Sequence, residues 1–240
     1  MLIGSYNLGI LKLPEFVEDL FGLNEGDGEY NLQEGEQNLY HALLNAAKNE
    51  NESTILEYNV TSESLLKTIV AAQTPEEYSA IYTITRKSGK TELIETVHIW
   101  KKGDRYIVRK SDEDNVTKSE LYNNGETVEI KTYASDKPTI YTYPASDSFT
   151  IESDAGIPQV TAFLLDENVK DLEITLRQAI DYHLYHAQYG YRDSDVKETT
   201  YILLEHNMVL HSETVLNGDS IYACALESIE TEITGIDFPE

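Results

Sequence analysis

The stretch that decides the fold is YSAIYTITRKSGKTELIETVHIWKKGDRYIVRK, residues 78–110. Apolar and polar residues alternate on both sides of Ser88-Gly89 and Gly103-Asp104, and each of those dipeptides can take the backbone conformation that a tight hairpin needs. Alternation of this kind predicts antiparallel strands with one buried face. Working outward, the same period runs through KSELYNN, ETVEIKTY and PTIYTYP, with turn signals at Asn123-Asn124-Gly125 and Ser135-Asp136. An apolar interruption, IPQVTAFLL, reads as a short helix or a plug packed on the sheet. Strand pattern then resumes in EITLRQA, HLYHAQYGYR, ETTYILLEH, MVLHSETVL and SIYACALESIE, with turns expected at Ile180-Asp181, Asp193-Ser194, His206-Asn207 and Asn217-Gly218-Asp219. No linker rich in Pro, Gly or Ser separates the two meanders, so one continuous sheet is expected.

Ahead of the meanders the period is helical. Pro14 opens PEFVEDLFGL with Gly22 near its end, and both NLYHALLNAAK (38–48) and SESLLKTIVAAQ (62–73) space their apolar residues by three and four. Ser62 is placed to cap the last of these helices. KNENEST, between them, reads as a solvated turn. Two units are drawn from this pattern, a helical extension over residues 1–61 and a sheet domain over 62–240.

With 40% apolar residues the 240-residue chain can fill a core, and its net charge of −25 would repel a phosphate backbone, so no nucleic-acid partner is expected. No run is apolar enough for a transmembrane segment. MLIGSYNLGILKL lacks the basic start and small-residue cleavage site of a signal peptide. Either the protein is cytosolic or a targeting or anchoring segment lies outside this chain. Cys224 is the single cysteine, and the alternation around it predicts a buried structural thiol.

Helices first, then a long meander, an apolar interruption, a second meander and a closing Phe238-Pro239: this order resembles the lipoprotein-carrier superfamily of LolA, LolB and RseB. The resemblance rests on TPEEYSAIYTITRKSGKTELIETVHIWKKGDRYIVRK, YNNGETVEIKTY and YACALESIETEITGIDFPE, and covers residues 62 to 240. It implies an α+β fold, a curved antiparallel sheet forming an incomplete barrel, covered on its concave face by N-terminal and inserted helices. It also implies a cavity for an acyl chain, a lipid or a lipidated protein, an extracytoplasmic and membrane-tethered location, and a membrane-embedded protein as partner. A cytoplasmic location stays open. Within that picture Tyr82, Trp100, Tyr106 and Leu164 are expected on or under the covered face. Phe238 is expected to pack at the sheet end, with Pro239 stopping the last strand.

The basic hairpin 98–110 stands out in so acidic a chain. Lys101, Lys102 and Arg105 either pair with carboxylates across strands and blunt the sheet against edge-to-edge association, or surround a cavity mouth and meet an anionic headgroup or acidic partner. The 17 tyrosines suit a half-buried sheet; a carbohydrate or peptide platform is the alternative, and it would leave Tyr141 and Tyr143 exposed.

Asp181, His183 and His186 in DYHLYH are the best metal-ligand candidates, and local structure decides between two outcomes. On a helix the two histidines share a face, whereas on a strand they point apart. No serine sits in a glycine elbow, and the Gly26-Asp27-Gly28 run has no strand before it and so makes no phosphate loop. The expectation is a non-enzymatic binding module, carrier or sensor, without a cofactor. Its rivals are a protein-interaction domain with a filled core and a metal-dependent hydrolase built on His183 and His186.

Overall fold

The computed structural model describes residues 38–231 except 73, 135 and 136, together with Ile233, Ile236 and Phe238. The helix expected at 14–23, the Gly26–Gly28 run, the turn at 135–136 and Pro239 lie outside the described residues.

Helix α1, Leu39–Lys48, starts where the Asn38 side chain accepts the Tyr40 N–H, and α2, Ser62–Ala71, starts at Thr61, whose hydroxyl accepts the Ser64 N–H. The cap is therefore Thr61 rather than the expected Ser62, because the residue that keeps extended dihedrals is the one whose hydroxyl can turn back onto the first free amide. Between the meanders lie two short helices, α3 (Ile151–Ala155), just ahead of IPQVTAFLL, and α4 (Ala162–Leu165), at its end.

The strands are β1 (Ser53–Glu57), β2 (Glu77–Ser88), β3 (Thr91–Lys102), β4 (Arg105–Asp112), β5 (Thr117–Asn123), β6 (Thr127–Thr132), β7 (Thr139–Pro144), β8 (Val169–Ala179), β9 (Tyr182–Tyr191), β10 (Val196–Leu203), β11 (Met208–Leu216) and β12 (Asp219–Glu230). They form one curved, open, antiparallel 12-stranded sheet in the order β1-β8-β9-β10-β11-β12-β2-β3-β4-β5-β6-β7. The two meanders are joined where β12 pairs with β2. Pairing of β12 ends at Glu230, opposite Ser79 near the start of β2.

Residues 48–54 are only partly the expected turn, since Ser53 and Thr54 already belong to β1, which pairs with β8. The expected boundary after residue 61 accordingly falls inside the sheet-and-helix body. The hairpin turns lie where they were expected. Ile180, Asp193, Asn207 and Asn217 have φ of 53°, 56°, 51° and 54°. Ile180 is the unusual member, a β-branched residue in the left-handed region, held there by packing against the core.

Register fixes which side chains share a face. Tyr82 pairs with Val97 and with Leu226, Ile84 with Cys224, and Ile99 with Val108, so these line one side, the Tyr82 face. Across β11, β10 and β9 the same side carries Ser212, Thr200 and Ala187, with Tyr185 next along β9. The other side, the Trp100 face, carries Ser79, His98 and Arg109 near Trp100, and His211, Tyr201 and His186 farther along the sheet.

Helices pack on both sides. Tyr185 donates to Thr68 Oγ1 of α2 at 3.1 Å, Phe163 of α4 stacks on Tyr189 at 4.9 Å, and Tyr106 donates to Asp154 of α3 at 2.6 Å, so α2, α3 and α4 lie on the Tyr82 face. Helix α1 lies on the Trp100 face, where Arg177, paired with Leu184, donates to Ala47 O at 3.1 Å. Leu43, Leu44, Ala46 and Ala47 of α1 are buried there.

Candidate functional site

Three pieces of chain meet on the Tyr82 face: the C-terminal end of α2, the β10–β11 hairpin, and the segment 151–161. Between them runs an open cleft of about 270 Å³ lined by Ile69, Thr74, Glu152, Gln159, Val160 and Asn207. Beneath it, and sharing Thr74, Glu152, Val160 and Asn207 with it, is a cavity of about 40 Å³ walled by Tyr78, Tyr82, Ile99, Ile157, Met208 and Val209. That volume holds about one water molecule, so the interior under the cover is nearly filled.

The cover is anchored at both ends. Gly156 caps α3 with φ of 80°, and its carbonyl accepts the Tyr222 hydroxyl at 2.9 Å. A Cβ there would stand 2.8 Å from Arg86 Nη2, a contact the flexible end of the arginine can relieve, so it is the left-handed backbone, which L side chains rarely adopt, that calls for glycine. At the far end the stack of Phe163 on Tyr189 holds α4. Between the anchors, residues 157–161 rest on the sheet through Ile157 and Val160, both only partly buried.

Asn207 organises the cleft. Its Nδ2 faces Ile69 O at 3.4 Å, Ala72 O at 3.3 Å and Thr74 Oγ1 at 3.3 Å, which ties the hairpin tip to the end of α2. The two carbonyls fix the amide's orientation, and its Oδ1 is left buried without a hydrogen-bond partner. Tyr82 is fully buried and donates to Val209 O at 3.0 Å. Burial pushes the Tyr82 and Tyr78 phenols up, and the Glu152 carboxylate adds to both shifts, so each remains a neutral donor.

The other expected residues are placed as follows. Tyr106 is on the Tyr82 face, and its phenol is raised first by burial and then by the hydrogen bond to Asp154. Leu164 is half-buried and packs with the α2 side of the core, beside the cleft rather than in it. Trp100 lies on the opposite face: it is buried, stacked on His98 at 3.5 Å and covered by Arg109 at 5.0 Å. Its placement under the cover is corrected by the period of the strand, because its neighbour Ile99 points there instead.

None of Lys101, Lys102 and Arg105 lines the cleft or the cavity. Lys101 reaches the Pro75 and Glu76 carbonyls at 3.4 and 3.5 Å, Lys102 lies 3.7 Å from Glu77, and Arg105 covers the half-buried Phe238 ring at 5.6 Å.

DYHLYH is strand, not helix. His183 sits on the Tyr82 side of β9, 3.0 Å from Glu205, while His186 is buried on the Trp100 face against Tyr201, so the two cannot share a metal. Cys224 is buried, and burial raises its thiol to about 11. A roomier depression of about 670 Å³ lies at the other end of β8–β10, among Lys170, Asp171, Glu173, Asp195, Lys197 and Asn217. Its charged hairpin walls favour hydration over apolar burial.

No family model and no curated protein matches the sequence. Among solved structures the chain is similar to a LolA superfamily protein from Nitrosomonas europaea, at 12% identity and a TM-score of 0.35, over 73% of this chain and 96% of that one. It is also similar to a chain of the Pseudomonas aeruginosa MucA/MucB complex, at 11% identity and a TM-score of 0.43 over 70% of this chain; it spans 56% of that chain, just over half its length. A DUF1329 family protein from Desulfovibrio piger is similar at 7% identity and a TM-score of 0.32, over 70% and 90% of the two chains. These are likenesses of fold.

Proposed function

We propose that the protein is a non-enzymatic, extracytoplasmic binding module that takes an apolar chain, of a lipid or a lipidated protein, at the cleft between α2 and residues 157–161. The observation that carries this reading is a cleft of about 270 Å³, near the lower end of the roughly 300–1,000 Å³ usual for small-molecule sites, leading onto the apolar wall of Tyr78, Tyr82 and Ile99. Deeper entry requires residues 157–161 to move away from the sheet, and these are the part of the cover between its anchors.

The test is titration with an uncharged apolar fluorescent probe. Saturable binding near 1:1 is expected, weakened at least tenfold by Val160→Trp, which fills the cleft, and little changed by Lys101→Glu. Absence of saturable binding by the folded protein removes the reading.

A second reading, a peptide- or protein-docking module, is favoured by β7. Every residue of Thr139–Pro144 is exposed and none is charged; Tyr141 and Tyr143 are 47% and 44% exposed. An uncharged edge strand, paired on one side only among the described residues, can receive an added strand. Tyr141→Lys would abolish such pairing and leave probe binding intact.

A further inference from the structure

We infer that the cleft selects apolar ligands whose polar end donates a hydrogen bond, a hydroxyl, amide or amine, and discriminates against a carboxylate. The inference rests on the binding reading above and adds to it the chemistry of the head group.

Three observations converge on it. First, among the described residues no lysine, arginine or histidine lines the cleft or the cavity. Nothing there offers a carboxylate the charge-assisted partner it needs on leaving water. Second, among the described residues the one full charge on both linings is the carboxylate of Glu152, which makes no ion pair with any of them. Its field reaches the Tyr78 and Tyr82 phenols, which it helps to hold protonated. A second anion would meet that field at short range, and the net charge of −25 on the whole chain adds to the repulsion.

Third, the buried polar atom left without a partner at this place is an acceptor. Asn207 Oδ1 cannot exchange places with Nδ2, because Nδ2 is turned to the Ile69 and Ala72 carbonyls. A buried acceptor without a donor is costly, and a ligand O–H or N–H, or a water in the small cavity, removes the deficit. An alcohol, amide or ammonium group satisfies both Asn207 and Glu152. A carboxylate satisfies neither.

The experiment compares three ligands with the same dodecyl chain, dodecanol, dodecylamine and dodecanoate, binding the full chain by calorimetry at pH 7.5 and fixed salt. Alcohol and amine are expected to bind at least tenfold more tightly than the acid. Glu152→Gln is expected to remove the advantage of amine over alcohol without abolishing alcohol binding, and Glu152→Lys to bring the acid to or above the alcohol. Thermal melts of both variants report whether they fold; position 152 is half-buried on a single-turn helix, and the alcohol serves as internal control. Equal affinity for the three ligands overturns the head-group inference and leaves apolar binding standing. Failure of all three together with the uncharged probe overturns both.

Discussion

The two faces of this sheet are made by the same strands and have opposite chemistry. The Tyr82 face is largely apolar under α2, α3 and α4, and the neutral polar groups it buries are mostly bonded, Thr200 to Ser212, Tyr185 to Thr68 and Tyr82 Oη to Val209 O, whereas Asn207 Oδ1 is left without a partner. The Trp100 face is a mosaic. Under α1 it buries His186 and Tyr201 beside the half-buried His211, and beyond α1 it carries Trp100 between His98 and Arg109, with Arg109 also bonded to Glu120 at 2.7 Å. Period-two alternation sends neighbours to opposite sides, so a single chain can build two surfaces of different composition at once. The contrast teaches that burial by itself does not mark the site. Trp100 is as buried as much of the core, yet its ring is sealed between a histidine and an arginine.

Changes on the Tyr82 face should have the largest effect on stability. Tyr82→Ala should cost about 3–5 kcal/mol through the cavity it leaves, whereas Tyr82→Phe should cost only about 1 kcal/mol, for the lost bond to Val209 O. Equal losses in denaturant unfolding would show that the hydroxyl, and not the ring, carries this side of the sheet.

The Trp100 face should answer to pH. Burial, with the nearby cations Arg177 and Lys48 for His186, and with Lys48 for His211, lowers both imidazoles from 6.5 to about 4. The charged groups around these two rings are Lys48 from α1, Arg177 from β8 and Glu213 from β11, the last opposing the shift of His211. The unfolded chain binds protons first, so the full stability is present above about 6.5 and is lost as pH falls from there toward 4. The slope should approach about 1.4 kcal/mol per pH unit for each proton taken up on unfolding. His186→Gln and His211→Gln should flatten the dependence between pH 6.5 and 5, where most carboxylates stay ionised. An unchanged slope in the double variant would place the acid sensitivity elsewhere, for instance at His98, whose imidazole burial also lowers to about 4.

Phe238→Ala should cost less, about 1–2 kcal/mol, because the ring is half-buried under Arg105. It should leave probe binding on the opposite face unaltered. Lys102→Ala should have the smallest effect, under about 1 kcal/mol and vanishing in high salt, since Lys102 and Glu77 lie 3.7 Å apart in solvent. A larger loss would mean that the hairpin tip has a structural role its geometry does not explain.

Local rules in the sequence were enough for most of the architecture. The alternating runs from Tyr78 onward determined the strands, the Gly, Asn and Asp pairs determined the hairpins, and the absence of a linker determined a single sheet, because side-chain period and turn dihedrals are properties of adjacent residues. Strand β1 was not legible: Ser53–Glu57 is only five residues long and carries just two apolar residues, Ile55 and Leu56, and it is a strand because β8 offers it an edge. The face of each strand followed from period, but which cover lies over which face did not. Tyr82 and Trp100 look equally apolar in sequence, and only the docking of residues 145–165 on one side and of α1 on the other separates them. The cleft was equally out of reach. Asn207 could be read as a turn residue and Glu152 as one carboxylate among 43 acidic residues. Their meeting with the end of α2 depends on contacts between segments more than fifty residues apart along the chain, and no local pattern encodes them.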